Sequence, residues 1–255
     1  MRWMFDMVRA RGMGTLLVLL AVGFSTSAHA GTIELFSATS GDTTTDFTVK
    51  TQVLIILTVL GLLPVLALMM TSFTRFVIVL LLLRQALGLQ QGLPNRVVTG
   101  VALILTLLVM RPVGEQIWQE AFAPYDQDEI GLEQALRLAE VPLSRFMLAQ
   151  TSRSSLRTIS SLAGEEQVER PEDHAFTVKV AAFMLSELKT AFQIGTMLFI
   201  AFLVIDLVVS SVLMSMGMMM LSPLVISLPL KLLLFVLVDG WTLTVNTLVT
   251  SVQAY

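Results

Sequence analysis

The chain has 255 residues, of which 55% are hydrophobic and 14% charged, and its mean hydropathy is +0.80. This composition lies outside the range of soluble globular proteins and predicts a protein of membranes or membrane-bound assemblies. The formal net charge of −3 gives no basis for nucleic-acid binding, and the absence of cysteine excludes disulfides and thiolate metal sites. Two histidines are too few to indicate a metal centre, and no motif indicates another cofactor.

Residues 1–30 have the pattern of a cleavable secretory signal peptide. Three arginines precede a short apolar core from Thr15 to Phe24, and Ala28-His29-Ala30 supplies a small-x-small cleavage site. An apolar core of about ten residues is too short to span a bilayer, which argues against a retained first membrane helix. We therefore expect cleavage before Gly31. Residues 31–51 are rich in Thr, Ser and Asp and are predicted to form a flexible periplasmic segment.

Four apolar segments follow and predict an all-α, membrane-associated fold of two helical hairpins. The first hairpin is assigned to residues 52–113, with a kink at Pro64 and a helix end at Arg111-Pro112; the second is assigned to 190–255. No stretch shows the alternation of a β-strand over a useful length. The four segments run Val53 to Met70, Val97 to Met110, Leu198 to Leu213 and Leu224 to Val238.

The distribution of charge predicts the orientation of the chain. Thr71 to Arg96 carries three arginines (Arg75, Arg84 and Arg96) and no acid, whereas Gly114 to Glu187 carries 13 acidic and 6 basic residues. The positive-inside rule places the arginine-bearing loop on the cytoplasmic side and an acidic helical region, residues 114–189, in the periplasm. This orientation agrees with an external N-terminus after signal cleavage.

The second hairpin contains three charged residues, Asp206, Lys231 and Asp239. Charges within apolar helices are costly and are usually paired or functional. With the hairpin pivot between Met218 and Met219, Asp206 and Lys231 lie at about the same level, roughly 18 Å from the tip at 1.5 Å per residue. We predict that they form an ion pair that fixes the register, within one subunit or between neighbours. The alternative is that each faces water or a different partner.

Five methionines lie within seven residues at the tip of this hairpin, bracketed by Gly217 and Pro223. The flexible, polarizable thioether conforms to partners of many shapes. Successive helical residues are about 100° apart, so three consecutive methionines cannot all face one core, and at least one faces lipid, a lumen or another subunit. The five are Met214, Met216, Met218, Met219 and Met220.

Several long stretches resemble the FliP family of type III secretion export gate proteins, over about residues 50–250. The homologous injectisome proteins of the SctR type share much of this pattern, but the flagellar family is the closer match. The stretches are Met70-Thr-Ser-Phe-Thr-Arg75, Leu83-Arg-Gln-Ala-Leu-Gly-Leu-Gln-Gln91, Phe146-Met-Leu-Ala-Gln-Thr151, Ser186-Glu-Leu-Lys-Thr-Ala-Phe-Gln-Ile-Gly195, Ile205 to Met220 and Leu228 to Trp241.

The resemblance implies a channel subunit of the flagellar export gate, in the bacterial inner membrane and flagellar basal body, that passes unfolded flagellar subunits. It implies a pentameric, helically arranged pore with FliQ- and FliR-like subunits, FlhB- and FlhA-like components on the cytoplasmic side, and inner-membrane lipids around it. The gasket role falls first on Met218, Met219 and Met220, and then on Met214 and Met216. Subunit contacts fall on Glu187 and Phe146.

Lys189 lies beside Glu187, where the acidic region meets the second hairpin, and this polar collar is either a solvated helix face or a contact between subunits. The chain is predicted not to be an enzyme, because it has no Walker A sequence and no paired catalytic residues within its apolar segments. The alternatives are an injectisome gate subunit or an ion-coupled secondary transporter using Asp206 and Lys231, although the latter lacks the expected internal repeat.

Overall fold

The computed structural model of the chain describes residues 43–89, 92–165, 168, 170–218 and 222–252. Within these ranges the chain is helical and contains no strand, which confirms the predicted all-α fold. The predicted signal peptide, residues 1–30, lies outside the described residues.

Nine α-helices and two short helices of other types make up this part of the chain. The α-helices are α1 Thr43–Met69, α2 Phe73–Ala86, α3 Asn95–Ile117, α4 Ala123–Asp126, α5 Leu132–Gln150, α6 Arg153–Ala163, α7 Phe176–Ser215, α8 Pro223–Leu237 and α9 Gly240–Ser251. A π-helical turn, Trp118–Phe122, joins α3 to α4, and a 3₁₀ turn, Pro171–Asp173, precedes α7.

The chain divides into two units, Met1–Leu66 and Ala67–Tyr255. In the first, α1 begins at Thr43, inside the segment predicted to be flexible, so that prediction is wrong for the helical residues. Pro64 lies inside α1 without ending it. The large apolar side chains described in this unit are exposed, which indicates a helix that needs a lipid or protein environment around it.

In the second unit, α7 is the central helix, and α2, α5, α6 and α8 pack against it. Phe146 of α5 and Phe183 of α7 bring their ring centroids to 6.0 Å, and Phe76 and Val79 of α2 are fully buried in the same core. Gly195 allows α2 to approach α7 closely, because a Cβ at this position would lie 2.2 Å from Cδ1 of Leu82. A larger residue at position 195 would therefore force the side chain of Leu82 to move.

Two prolines lie inside helices of the second unit. α3 continues through Arg111-Pro112 to Ile117, so the predicted helix end is wrong, and α5 continues through Pro142. Proline removes one helical hydrogen bond and crowds the preceding turn. At both sites packing offsets that cost: Val113, next to Pro112, is 1% exposed, and Pro142 is itself fully buried.

The polar stretch between α5 and α7 contains an amphipathic helix, α6. The Oγ of Ser152 accepts a hydrogen bond from the backbone N of Ser155 at 3.2 Å, which caps the helix start. Gly164 ends it with φ of 76°, a left-handed conformation that glycine adopts without strain. The helix occupies 11 residues of this stretch.

Among the residues that the structure describes, two stretches, Asn95–Asp126 and Phe176–Ser215, are long and apolar enough to cross a membrane. Up to four spans result if each of two bent helix pairs counts as one, by length and composition alone. One of these pairs is α8 and α9, which meet at 67°. The bend is at Asp239, whose φ of 49° is left-handed.

A carboxylate from the end of α6 holds the start of α7. Oε2 of Glu165 lies 2.9 Å from Nδ1 of His174 and accepts a hydrogen bond from the backbone N of Ala175 at 3.2 Å. The hydrogen bond with His174 lowers the pKa of Glu165 below its ordinary 4.5; desolvation opposes this shift, and the Ala175 N–H and the charges of His174 and Lys179 add to it.

Because the folded-state pKa of Glu165 is lowered, the stabilisation is present at and above pH 4.5 and is lost as the pH falls through the folded-state value. We predict that amide hydrogen exchange in the first turns of α7, corrected for intrinsic rate, accelerates below pH 4.5. Glu165→Gln should abolish this acceleration of hydrogen exchange at low pH. Glu172→Gln, at an exposed site, should leave the acceleration in place. An unchanged acceleration in Glu165→Gln would show that another group is responsible.

Candidate functional site

The hairpin between α7 and α8 places methionines at the surface of the chain. α7 ends at Ser215, Gly217 turns the chain with φ of 75°, and α8 begins at Pro223. Met214, Met216 and Met218 are 67%, 65% and 42% exposed. These three residues therefore do not fill the core of their own chain. Met219 and Met220 lie outside the described residues, and the gasket role of all five stays a prediction.

Asp206 of α7 and Lys231 of α8 meet within one chain. Nζ of Lys231 lies 2.6 Å from Oδ2 of Asp206, and the two side chains are 4% and 32% exposed respectively. Nζ also donates to the carbonyl oxygen of Ala86 at 3.0 Å. Ala86 is the last residue of α2, where helix carbonyls lack intrahelical partners and a cation is favourable. The lysine thus joins three helices, and its role in fixing register stays a prediction.

The most buried polar cluster surrounds Arg75, which is 2% exposed. Its guanidinium makes a two-pronged ion pair with Glu187: Nε donates to Oε2 at 2.9 Å, and Nη2 contacts Oε1. Nη1 donates to the carbonyl oxygen of Ser251 at 2.6 Å and to its Oγ at 3.2 Å, and Nη2 donates to Oε1 of Gln150 at 3.4 Å. One side chain therefore links α2, α5, α7 and α9.

Sequence reasoning missed Gln150 and Ser251 as partners of Arg75. They lie 75 and 176 positions away along the chain, and no local spacing connects them. Removing an arginine and a glutamate from water costs several kcal/mol, which is offset only when geometry and further hydrogen bonds are favourable. The five partner atoms around the guanidinium satisfy that condition.

This cluster corrects the predicted placement of Arg75. The sequence assigned Arg75 to a cytoplasmic loop and Glu187 to the periplasmic region. The two side chains are in contact, so at most one of these two assignments is correct. Residues 73–86 form a helix, not a loop. Arg84 lies about 13 Å further along α2, where Nε donates to the carbonyl oxygen of Leu89 at 3.3 Å and Nη1 contacts Asn95. The positive-inside rule counts charges without knowing which are buried.

The residues predicted to make subunit contacts lie mostly inside the single chain. Glu187 is 0% and Phe146 is 1% exposed, and their role as subunit contacts stays a prediction. Lys189 is exposed, and its contact role stays a prediction. Ser186, beside Glu187, donates to the carbonyl oxygen of Gln150 at 3.2 Å and accepts from the backbone N of Ser152 at 2.9 Å. The polar collar is therefore largely an internal contact.

The described residues hold no group of three or more His, Cys, Asp or Glu side chains placed to bind a metal ion. Arg96, the third arginine assigned to the cytoplasmic side, is exposed at the start of α3.

The two ion-paired clusters lie about 28 Å apart along α7, because Asp206 follows Glu187 by 19 residues at about 1.5 Å each. The arrangement fixes helices relative to one another and leaves the hairpin tip exposed.

Comparison with known proteins gives a consistent result. A sequence profile described as the FliP family matches residues 56–248. The flagellar biosynthetic protein FliP of Pectobacterium carotovorum is 50% identical over 205 residues, which are 80% of each chain. FliP of Bacillus subtilis is 47% identical over 219 residues, 86% of this chain and 98% of its own. FliP of Buchnera aphidicola from Baizongia pistaciae is 46% identical over 224 residues, and the match spans 62% of that longer protein.

We predict that removing one member of the buried pair destabilises the chain far more than removing both. Arg75→Met or Glu187→Met should each cost about 3–5 kcal/mol, because each leaves an uncompensated buried charge, whereas the double variant should cost clearly less than the sum. Unfolding of the detergent-solubilised protein measures all three. The matched control is Arg137→Met, which breaks an exposed pair with Glu133 and should cost at most about 0.5 kcal/mol. Additive costs at Arg75 and Glu187 would contradict the pairing.

We predict incomplete rescue when the charges of Asp206 and Lys231 are exchanged. Asp206→Lys and Lys231→Asp alone place like charges together and should each destabilise the hairpin. The double exchange restores the pair but leaves the carbonyl oxygen of Ala86 without its ammonium donor, so we expect stability between that of the single variants and the parent. Thermal unfolding in detergent measures this order. No rescue at all would show that the pair does not couple α7 to α8.

Proposed function

The chain belongs to the FliP family, and from that premise we propose that it is the core channel subunit of the flagellar type III export gate. It passes unfolded flagellar subunits across the bacterial inner membrane. The observation that carries the proposal is the α7–α8 hairpin, whose described methionines are exposed at a turn instead of packed in a core. The names of the flagellar relatives favour the flagellar system over the injectisome alternative.

In the proposed mechanism the methionine turns of several copies converge and seal the pore. Thioether side chains are flexible and make weak, non-directional contacts. They exclude water and ions when the pore is idle, and they part around an extended polypeptide without selecting one sequence. Met218, Met219 and Met220 form the proposed gasket, with Met214 and Met216 behind them. The protein performs no chemical step, and the energy for transport comes from other components.

The large apolar surface of the single chain supports an assembled state. On α7 and α8, Met197, Val225 and Val236 are 77%, 67% and 72% exposed, whereas soluble monomers rarely expose contiguous apolar faces of this extent. We propose that other copies, FliQ- and FliR-like subunits and inner-membrane lipids cover these faces. Five copies form the pore in this proposal, with FlhB- and FlhA-like components on the cytoplasmic side, at the flagellar basal body.

The rigid clusters described above suit this role. The Arg75 and Lys231 clusters hold α7 at two levels, so the hairpin is supported behind its tip while the tip itself has no described ion pair. The same contacts argue against a secondary transporter, because Lys231 is occupied by Asp206 and by the carbonyl oxygen of Ala86.

We predict that replacing Met218, Met219 and Met220 with alanine raises the permeability of the assembled gate to small solutes and ions, because shorter side chains leave the constriction unfilled. Leak is measured by solute entry into cells that carry the assembled variant. The matched control is Met197→Ala, which removes an exposed methionine about 32 Å from the tip along α7. Unchanged permeability in an assembled triple variant would contradict the proposed gasket role of these three methionines.

A further inference from the structure

The π-helical turn that follows α3 exposes a group of aromatic side chains. Trp118, Phe122 and Tyr125 are 57%, 48% and 42% exposed, and the rings of Trp118 and Phe122 stack with centroids 6.2 Å apart. π-helical turns are rare and often occur at functional sites. Exposed Trp, Tyr and Phe together are typical of the centre of a protein–protein interface. We call these three residues the aromatic patch.

The aromatic patch lies in an acidic segment. Residues 112–132 carry five acidic residues and no lysine or arginine. Glu115 is ion-paired with Arg111, whereas Glu120, Asp126, Asp128 and Glu129 are exposed. A surface of aromatic rings and carboxylates is chemically suited to guanidinium groups, which stack on rings and bind carboxylates.

We do not assign the aromatic patch to a membrane–water interface, although it follows an apolar helix. α5 packs against both the π-helical turn and the end of α3, and its exposed side includes charged residues such as Glu133, Arg137 and Arg145. Charged side chains such as these are costly inside a bilayer. Residues 118–126 form the C-terminal end of the apolar stretch Asn95–Asp126, and the exposed acids around the aromatic rings disfavour contact with anionic headgroups.

A basic surface lies elsewhere on the same chain. α6 carries Arg153 and Arg157, both exposed and four residues apart, and it contains no acid. α6 packs along the start of α7, since the backbone N of Ser152 donates to Oγ of Ser186 at 2.9 Å. The exposed Lys189 follows one helical turn later on α7. We call Arg153, Arg157 and Lys189 the basic face.

The two surfaces are built on different helices of the second unit. α5 brings Phe146 against Phe183 of α7, and α6 is joined to α7 by the hydrogen bond from the backbone N of Ser152 to Oγ of Ser186. The turn that carries the aromatic patch packs against α5, whereas the basic face belongs to α6 and α7. Two different but complementary surfaces of one subunit join copies head to tail, which closes a ring or continues as a helix.

We propose that the aromatic patch of one copy binds the basic face of a second copy, with Arg153 and Arg157 against the rings and carboxylates of the acidic segment. The inference rests on the proposed function, in which the chain assembles with itself, and assigns the contact that joins neighbours. Complementary charge accounts for both the affinity and the direction of assembly.

The contact is tested by disulfide crosslinking, since the natural chain has no cysteine. One tagged copy carries Gln119→Cys, next to the aromatic patch, and a second, differently tagged copy carries Thr158→Cys, next to Arg157. Both are expressed in cells that contain the rest of the export gate. We expect an intermolecular crosslink between these positions. A control pair with Gln134→Cys, an exposed position on α5, should crosslink weakly.

The role of charge is tested in the same system. Arg157→Glu in the second copy should lower the crosslink yield by about tenfold or more, as expected when a close charge pair across an interface is reversed. Glu120→Arg in the first copy should restore part of the yield. Arg96→Glu makes the same charge change at an exposed site on α3 and should leave the yield unchanged.

The possible failures are distinguishable. If the tagged copies copurify but do not crosslink, or crosslink regardless of charge, the proposed contact is wrong and self-assembly survives. If the copies do not copurify, the contact and the proposed homo-oligomer both fail. If brominated lipid tails quench Trp118 in a chain carrying W3F and W241F, the aromatic patch lies in the bilayer and the contact is overturned.

Discussion

The buried ion pair of Arg75 and Glu187 is the interaction on which the packing of the second unit depends. It places two opposite charges at 2% and 0% exposure within an apolar helical core, an arrangement that is stable only while every partner is present. Because the guanidinium also bonds to Gln150 and Ser251, the positions of four helices are set by one side chain. Apolar packing alone tolerates sliding, whereas directional hydrogen bonds do not.

The 40-residue helix α7 carries this constraint to the hairpin. Its first turns hold Glu187, the Gly195 contact with α2 lies in its middle, and Asp206 pairs with Lys231 further along. Beyond Asp206 the described chain has no further ion pair, and the methionines become exposed. The helix thus passes from a region held by directional contacts to a tip held by weak ones. This contrast is the physical basis of the proposed gate. The hydrogen-bonded part of α7 holds the hairpin in place, and the methionine turn at its end can change conformation.

Helices α5 and α6 have a different proposed role from the apolar hairpin. Both carry exposed charged side chains beside exposed leucines such as Leu136 and Leu162, and both pack against α7. In the proposed assembly they give neighbouring copies a polar, directional contact, while apolar faces are left for lipid and for other subunits. Charged and aromatic surfaces specify orientation better than apolar ones, because mismatched charges are penalised. Specificity and sealing are thereby assigned to different parts of one chain.

The sequence by itself determined the helical class, the family and the exposed methionine turn, since these follow from composition, long motifs and local order. It also brought Asp206 and Lys231 to one level, because two consecutive antiparallel helices share a register that is counted from their turn. Only the tertiary structure decided the partners of Arg75, the burial of Phe146 and Glu187, and the bond from Lys231 to Ala86. These contacts join residues 112 and 145 positions apart in the case of Arg75–Glu187 and Ala86–Lys231. No periodicity encodes such pairs, because they arise from how whole helices pack, and a charge count cannot distinguish a buried arginine from a solvated one.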